Sequence, residues 1–344
     1  MNAIMRALGS DAFKAATMTD KYVDLADYRP GYLTGLGLAS TVSISTNDFV
    51  IGQEESGELR LLQTVERGAE LKQLKGRKRN LRTFTTERLG EETTIWAYEL
   101  KDLLVDQSQS MVKKLQAEFA DRQRRIEDNI SLTMENWWLG CVQGKVLDAD
   151  GSEIYNWFDE WGITPAAEIP FDLANSSIED LQTIIRKMKR SMARAQKGMR
   201  WSGRTIGIMG DEFADKFLSN PEINKTYLNQ QEAAQLRGDV QPFAMVDRFG
   251  IKWVNYRGTD DNSTVAVNPD EVKFFPADAS SDMYRKVHSP HIGLNELGRK
   301  GKERYTFTSR DKSERQEWIG VALETFPMLV NMRPEMLRSG RVGA

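Results

Sequence analysis

His288 and His291 are the residues best suited to bind a metal ion or to transfer a proton near neutral pH. They are the only two histidines in the chain and stand close together in "VHSPHIG". Two imidazoles at such a spacing could supply two ligands of a zinc ion. However, Pro290 lies between them and disfavours a helix, and no third ligand is signalled nearby. We therefore predict that this segment holds no metal.

A second candidate is the acidic stretch "QGKVLDADGSEIYNWFDEWGI", whose Asp148, Asp150 and Gly151 resemble the start of a calcium-binding loop. That loop needs glycine at its sixth position and a bidentate glutamate at its twelfth. Here those positions hold Glu153 and Asp159. The Asp-Gly pair between apolar residues instead predicts a tight hairpin turn in which both central residues take positive φ.

The composition contains few of the residue types that enzymes most often use in catalysis. With two histidines and one cysteine among 344 residues, most nucleophilic and zinc chemistry lacks its residues. The sequence contains no nucleophile elbow and no phosphate-binding loop of the Walker type. We predict no catalytic residue, no cofactor and no metal. A carboxylate pair such as Asp148 and Asp159 nevertheless leaves a cytosolic hydrolase open as an alternative.

Charge and cysteine content limit the partners and the compartment. The formal net charge is −3, so any contact with nucleic acid would have to be local. The single cysteine, Cys141, excludes an internal disulfide, and we expect it to be a buried apolar side chain at a helix end. No segment resembles a signal peptide or approaches the roughly 20 apolar residues of a membrane span. These features predict a protein of cytosolic origin without membrane contact.

The N-terminal part of the chain reads as an arm followed by a long hairpin. We expect a strand at 41–51 and a β-hairpin over 55–100, with basic residues at its tip in "KQLKGRKRNLR" and acidic residues towards its base. The six basic residues of this tip are Lys72, Lys75, Arg77, Lys78, Arg79 and Arg82. A hairpin of this kind is marginal by itself, and no other part of the chain is an obvious partner for it.

A helix longer than a compact domain needs is predicted from Asp102 to Leu139. Its apolar residues recur at gaps of three, four or seven, which places them on one stripe. These residues are Met111, Leu115, Phe119, Ile126, Ile130, Met134 and Trp137. At 1.5 Å per residue the helix would be roughly 50 Å long.

A second helix is predicted after a capping box of Ser176 and Glu179, ending at Gly198. Its apolar face consists of Ile178, Leu181, Ile185, Met188 and Met192. Its C-terminal half carries Arg186, Lys187, Lys189, Arg190, Arg194 and Lys197. We favour a solvated face that complements the helix dipole, with local binding of nucleic acid as the alternative. Beyond this helix the chain becomes rich in predicted strands, among them "GRTIGIMG", "TVAVNP" and "EVKFFPAD".

The order of these segments resembles the tailed-phage major capsid proteins of the lambda-like kind. The resemblance rests on five pieces in sequence: "RRIEDNISLTMENWWLGCVQGKVLDADGSEIYNWFDEWGI", "IGIMGDEFADKFLSNPEINKTYLN", "FGIKWVNYRG", "NPDEVKFFPAD" and "YTFTSRDKSERQEWIGVALETFPMLVNMRPEML". The chain departs from the family pattern at "CVQG" and at Pro327–Met328, where a Pro-Leu pair is usual.

The resemblance implies an α+β fold of the Hong Kong 97 type. It assigns residues 1–54 to an N-terminal arm and 55–100 to the extended loop. Residues 101–165 and 259–317 form a peripheral domain with a long spine helix, and 166–258 and 318–344 form an axial domain. An over-long helix and an unpartnered hairpin both suit a subunit that its neighbours complete.

The resemblance also implies the function and the partners. The chain would self-assemble as hexamers and pentamers into an icosahedral shell around packaged double-stranded DNA, which is enclosed without sequence-specific binding. A scaffolding protein and a portal would take part in assembly in the host cytoplasm, and a decoration protein could bind the finished virion. The basic hairpin tip, Lys72–Arg82, would contact acidic surface on an adjacent subunit. The runner-up is the shell subunit of an encapsulin-like bacterial compartment.

Overall fold

The structure, a computed structural model, describes most of the chain. The described residues are 30–54, 79–99, 111–197, 199–220, 223, 243, 245–259, 261, 264–278, 283–315 and 317–343. Among the helices within these ranges, none has the length and hydropathy that a membrane span requires.

The described residues form helices and strands in a mixed order. The helices are α1 (Tyr32–Gly35), α2 (Met111–Gln143), α3 (Trp157–Trp161), α4 (Ile178–Ala195) and α5 (Asp211–Ser219), with 3-10 turns at Leu294–Glu296 and Pro334–Met336. The strands are β1 (Ala39–Ser43), β2 (Asp48–Glu54), β3 (Arg79–Thr85), β4 (Leu89–Trp96), β5 (Lys145–Leu147), β6 (Glu153–Asn156), β7 (Ile169–Phe171), β8 (Thr205–Met209), β9 (Met245–Arg248), β10 (Ile251–Asn255), β11 (Glu271–Pro276), β12 (Tyr284–His288), β13 (Tyr305–Arg310), β14 (Trp318–Thr325), β15 (Pro327–Asn331) and β16 (Arg338–Val342).

The largest sheet has six strands in the order β7-β16-β11-β8-β10-β9. Its central strand β8, "TIGIM", is buried at every position, so both faces of the sheet are covered. One hydrophobic core joins this sheet to α4 and α5. Within that core the ring of Phe217 stacks on Trp253 with centroids 4.3 Å apart.

The long helix α2 organises the second core. Of the predicted apolar stripe, the side chains of Phe119, Ile126, Ile130, Met134 and Trp137 are all buried, which confirms the periodicity for the residues described. The helix has 33 residues and is therefore about 50 Å long. It continues past Gly140, where a side chain would collide with the carbonyl oxygen of Lys145. The small residue lets the end of the helix lie directly against β5.

Two three-stranded sheets join the N-terminal part of the chain to its C-terminal part. In the first, β1 runs parallel to β12, and β12 runs antiparallel to β15. In the second, β14 lies between β13 and β4 and is antiparallel to both. Strands β1 and β4 therefore obtain their hydrogen-bonding partners from the C-terminal part of the chain.

Several predicted elements differ from the structure. The single strand expected at 41–51 is two strands in different sheets, because the hydroxyl of Thr46 donates to the carbonyl of Asp48 and turns the chain between them. The capping box of α4 consists of Ser177 and Asp180, one residue later than predicted. The segment "TVAVNP", expected to be a strand, forms none among its described residues.

The strand pairings bear on the proposed domain limits. Strand β11, grouped in the sequence with the peripheral domain, hydrogen-bonds to β8 and β16 inside the six-stranded sheet. Strands β14 and β15, grouped with the axial domain, pair with β4, β12 and β13. The position of the domain boundaries themselves stays a prediction.

Candidate assembly surface

Strands β2 and β3 form a two-stranded ribbon that leads towards the predicted basic tip. They pair in antiparallel register from Asp48 opposite Thr85 to Glu54 opposite Arg79. The hairpin therefore begins before residue 55, and β4 leaves it to join β14. Lys72, Lys75, Arg77 and Lys78 lie outside the described residues. Arg79 begins β3, and Arg82 is the one tip residue whose side chain is described.

The root of the ribbon packs on the chain's own aromatic residues. The ring of Phe84 lies 5.6 Å from Trp157, 5.9 Å from Trp161 and 6.0 Å from Tyr155, measured between centroids. The Tyr155 hydroxyl donates to the carbonyl of Thr85 at 2.9 Å and accepts its N–H at 3.4 Å. The expectation that the hairpin lacks an intramolecular partner is therefore wrong for its root.

Arg82 also contacts this aromatic cluster. Its guanidinium lies 3.3 Å from the Glu160 carboxylate and 5.8 Å from the centre of the Trp161 ring. One third of the side chain remains exposed, at 33%. Partly exposed ion pairs are worth little, so this contact adds only modestly to the stability of the subunit. Its predicted contact with an adjacent subunit stays a prediction.

The outer face of the ribbon exposes two large aliphatic side chains. Val50 is 57% exposed and Leu81 is 65% exposed. Strand pairing sets Leu81 opposite Gly52 and Val50 opposite Thr83, so these side chains share one face. On the other face, Ile51 and Phe84 are buried. In the sequence, the run "FVI" at 49–51 indicates that the outer face of this strand is also covered, since an unbroken apolar run is typical of a strand covered on both sides.

A buried carboxylate ties the start of the described chain to α2. Glu135 is fully buried and accepts the backbone N–H groups of Leu33 and Thr34, each at 2.8 Å. The hydroxyls of Thr34, at 2.6 Å, and Tyr256, at 3.1 Å, also donate to it. Glu135 thus satisfies the free N–H groups at the N-terminus of α1. The sequence does not indicate this role, because Glu135 looks like any other polar residue of a predicted helix.

The acidic stretch forms a turn. The N–H of Gly151 bonds to the carbonyl of Asp148 at 3.0 Å, and β5 and β6 flank it as a hairpin. Gly151 has φ +82°, whereas Asp150 is not among the residues with positive φ, so the predicted turn type is wrong. A three-residue loop that ends in a left-handed glycine fits instead. Hydrogen bonds from the Ser152 hydroxyl and N–H lower the pKa of Asp150.

The two carboxylates of the hydrolase alternative, Asp148 and Asp159, each accept a hydrogen bond from a residue close by in the sequence. Asp148 accepts the N–H of Ala149 at 2.8 Å within the turn. Asp159 lies in the first turn of α3 and accepts the side-chain amide of Asn156, which caps that helix. Both carboxylates therefore shape the backbone around the β5–β6 hairpin.

The two histidines have separate surroundings. His288 is 1% exposed, and neither ring nitrogen has a hydrogen-bond partner among the described residues. Burial, reinforced by the nearby charge of Lys286, lowers the pKa of His288 to about 4. His291 accepts the N–H of Gly293 at 2.8 Å through Nδ1, and its Nε2 lies 3.4 Å from Glu324. Within the described part of the chain, no group of histidine, cysteine and acidic side chains could hold a metal.

The basic half of α4 is partly engaged within the subunit. Lys189 donates to the carbonyl of Gly250 at 2.7 Å, and burial lowers the pKa of Lys189. Lys197, two residues beyond the end of α4, lies 3.3 Å from Glu335. These contacts accord with a face that supports the fold.

Comparison with known protein families identifies the family of this chain. The model described as "Phage major capsid protein E" matches residues 14–342. The chain belongs to the phage major capsid protein E family. This confirms the resemblance drawn from the sequence. No curated protein sequence matches the chain significantly.

Solved capsid structures share the fold at low sequence identity. The capsid structure of cyanophage P-SCSP1u has a TM-score of 0.56 and 10% identity, with 95% of this chain and 93% of that chain covered. The mature capsid of bacteriophage PhiM1 has a TM-score of 0.52 and 13% identity, covering 95% and 91%. The capsid of the native GTA particle has a TM-score of 0.50 and 11% identity, covering 95% and 96%. The fold of this family member is the Hong Kong 97-like capsid fold.

Proposed function

We propose that this chain is the head subunit of a tailed bacteriophage and assembles as hexamers and pentamers into an icosahedral shell around double-stranded DNA. One observation carries the proposal: the β2–β3 ribbon is fixed at its root, while its outer face exposes Val50 and Leu81. A single exposed aliphatic residue needs no explanation. Two on one face of a ribbon that no described element covers fit a surface made for a neighbouring copy.

The root contacts make such docking efficient. Because Phe84 and Arg82 hold the ribbon against Trp161, its direction is set before a neighbour binds. A preorganised element loses less conformational entropy on association. The basic tip then adds charge complementarity, with Lys72, Lys75, Arg77, Lys78 and Arg79 facing acidic surface on the adjacent subunit, while Arg82 keeps its contact with Glu160 of its own subunit.

The remaining partners follow from the same function. The subunit would assemble with a scaffolding protein and a portal in the host cytoplasm and reside in the virion, with a decoration protein as a further partner. DNA is enclosed by the shell and is not bound by sequence, and the subunit has no enzymatic role. The family match favours the phage head over an encapsulin-like compartment.

The strand pairings refine the proposed domains. We place β11 and β16 with the axial domain, since both belong to the six-stranded sheet. We place β12, β14 and β15 with the peripheral domain, next to α2. The arm and the extended loop keep their predicted roles.

The test is sedimentation combined with electron microscopy of the purified chain, with and without the scaffolding protein. Shells, tubes or ring-shaped capsomers are expected. A small oligomer under every condition, scaffold included, would refute the proposal. Hydrolase activity would then be measured, with Asp148→Asn and Asp159→Asn as the first variants.

A further inference from the structure

The loop between β12 and β13, residues 289–301, exposes three large aliphatic side chains. Ile292 is 63% exposed, Leu297 is 73% exposed and Leu294 is 85% exposed. They fall within six residues of one another, so one short loop displays all three. Clustered exposed apolar residues mark interaction sites.

The 289–301 loop is held firmly in place. At its ends, the N–H of Ser289 bonds to the carbonyl of Phe326 at 3.1 Å, and that of Gly301 bonds to Ile44 at 2.8 Å. Inside the loop, the N–H of Gly293 bonds to His291 Nδ1 at 2.8 Å. The three aliphatic side chains are therefore displayed on a fixed support, which lowers the entropic cost of binding.

The rim of the loop is basic. Its one acidic residue, Glu296, lies 3.0 Å from Lys302 and 3.8 Å from Arg299. Lys300 has no acidic partner within the described residues. A surface that receives this loop should therefore combine carboxylates with some apolar area.

The described residues contain such a surface beside the loop. Strands β4 and β14 border an open groove of about 380 Å³, lined by Arg88, Gly90, Glu91, Glu92, Ala322 and Glu324. Arg88 is bound to Glu324 by two hydrogen bonds, at 2.7 and 3.1 Å. Glu91 accepts from the amide of Asn129 and Glu92 from the hydroxyl of Ser309, both neutral groups. Neither Glu91 nor Glu92 has a cationic partner among the described residues.

We propose that the 289–301 loop of one copy docks in the Glu91–Glu92 groove of a second copy. Lys300 meets the Glu92 carboxylate, and Leu294 and Leu297 cover Gly90 and Ala322, which share a face of the sheet with Glu92. Loop and groove are adjacent on one subunit, because Glu324 lines the groove and lies 3.4 Å from His291. A rotation axis beside the loop thus brings each loop to the next copy's groove and closes a ring. This contact rests on the proposed function and names a second surface that the shell would use.

Disulfide trapping tests the contact in assembled particles. Cys141 is fully buried, so introduced thiols are the reactive ones. Full-length chains carrying Leu294→Cys are assembled with chains carrying Glu92→Cys and oxidised. A disulfide-linked pair of the two chains is expected. No link in intact shells, or a link between two Leu294→Cys chains alone, overturns the proposal.

Charge reversal gives an independent test without new cysteines. Lys300→Glu and Glu92→Lys are each expected to raise the critical concentration for assembly about tenfold, which corresponds to about 1.4 kcal/mol. The double variant restores the wild-type value. Lys312→Glu is the matched control, since Lys312 is also exposed, lies outside the loop, and should leave assembly unchanged. Additive losses in the double variant overturn the proposal.

A hydrophobic variant completes the comparison. Leu294→Ser should weaken assembly, whereas Leu147→Ser, at a leucine 41% exposed on the β5–β6 hairpin, should not. If the wild-type chain forms no particles, the proposed function fails. If the wild type forms particles and the loop and groove variants match it, this contact alone fails.

Discussion

The Glu135 carboxylate accepts a 2.8 Å hydrogen bond from the backbone N–H of Leu33, a residue 102 positions earlier in the chain. Three further donors, from Thr34 and Tyr256, converge on the same buried side chain. A buried carboxylate is costly unless it is fully hydrogen-bonded, and here four donors offset that cost. The contact fixes α1 to the C-terminal third of the long helix.

Glu135→Ala should therefore loosen the segment around α1 and destabilise the subunit. It leaves two backbone N–H groups and two hydroxyls without their acceptor, which should lower the free energy of unfolding by about 3 kcal/mol. Urea denaturation measures this loss, and hydrogen exchange at Leu33 and Thr34 locates it. Asp121→Ala is the control, because it removes an exposed pair with Arg125 on the same helix and should cost under about 0.5 kcal/mol. Equal losses in the two variants would contradict the role of Glu135.

Arg82 and Glu160 should be energetically coupled within one subunit. Arg82→Ala loses the ion pair and the contact over Trp161, and about 1 kcal/mol is expected for the two together. In a double-mutant cycle with Glu160→Ala, a coupling of about 0.5 kcal/mol should appear in unassembled subunits. No coupling before assembly would mean that Arg82 is held mainly by a neighbour.

The basic tip should matter for assembly and not for folding. Reversing four tip residues to glutamate should leave the melting temperature of the subunit unchanged and block or weaken particle formation. The four residues are Lys75, Arg77, Lys78 and Arg79. A variant with the same change of net charge in α4 is the control, and it should still assemble. Its four residues are Arg186, Lys187, Arg190 and Arg194. Normal particles from the tip variant would argue against charge-guided docking, and an unfolded subunit would mean that the tip packs within its own chain.

His288 should make the subunit sensitive to acid. Its pKa in the folded chain is about 4, below the ordinary value of 6.5, so the folded state disfavours the charged form. Above about pH 6.5 the neutral ring makes its full contribution to the free energy of unfolding. As the pH falls towards 4, this contribution decreases by up to about 3 kcal/mol. His288→Gln should flatten this dependence in unfolding measurements at pH 7, 5.5 and 4. His291→Gln is the control, and an unchanged pH dependence in His288→Gln would exclude His288 as the cause.

Gly144 should tolerate no side chain. It has φ +94°, and an added Cβ would collide with the ring of Phe158. Gly144→Ala should therefore cost about 3 kcal/mol or more, because backbone strain and a steric clash combine. Gly151→Ala shares the positive φ but faces open space, so about 1 kcal/mol is expected. Thermal unfolding of both variants separates the two effects, and similar losses would contradict the role of Phe158.

Local patterns were enough to predict the two long helices, α2 and α4, but not the short helices α1 and α3. The stripe of α2 repeats with the helical period, and the burial of Ile126, Ile130 and Met134 follows directly from it. The error at the start of α4 is also local. In "SSIED", two adjacent serines are each followed three residues later by an acid, so the sequence offers two equivalent capping boxes. In the structure Ser177 caps the helix and pairs with Asp180.

Long-range pairings escaped prediction for a physical reason. Phe84 packs against Tyr155, Trp157 and Trp161. Strand β4 pairs with β14, which lies more than 200 residues later in the chain. Periodicity reports which face of a strand is apolar and contains nothing about which element covers that face. The 289–301 loop was missed for a related reason, since Ile292 and Leu294 look like ordinary core residues until their exposure is known.

The pairing of β4 with β14 has a consequence for the timing of synthesis. β14 emerges from the ribosome about 220 residues after β4, which is about 10 to 45 seconds at ordinary bacterial rates. Until then β4 lacks its neighbouring strand, and β1 likewise waits for β12. Such distant contacts also make folding slow. A nascent chain therefore cannot present a finished surface to its neighbours, and shell growth draws only on completed, released subunits.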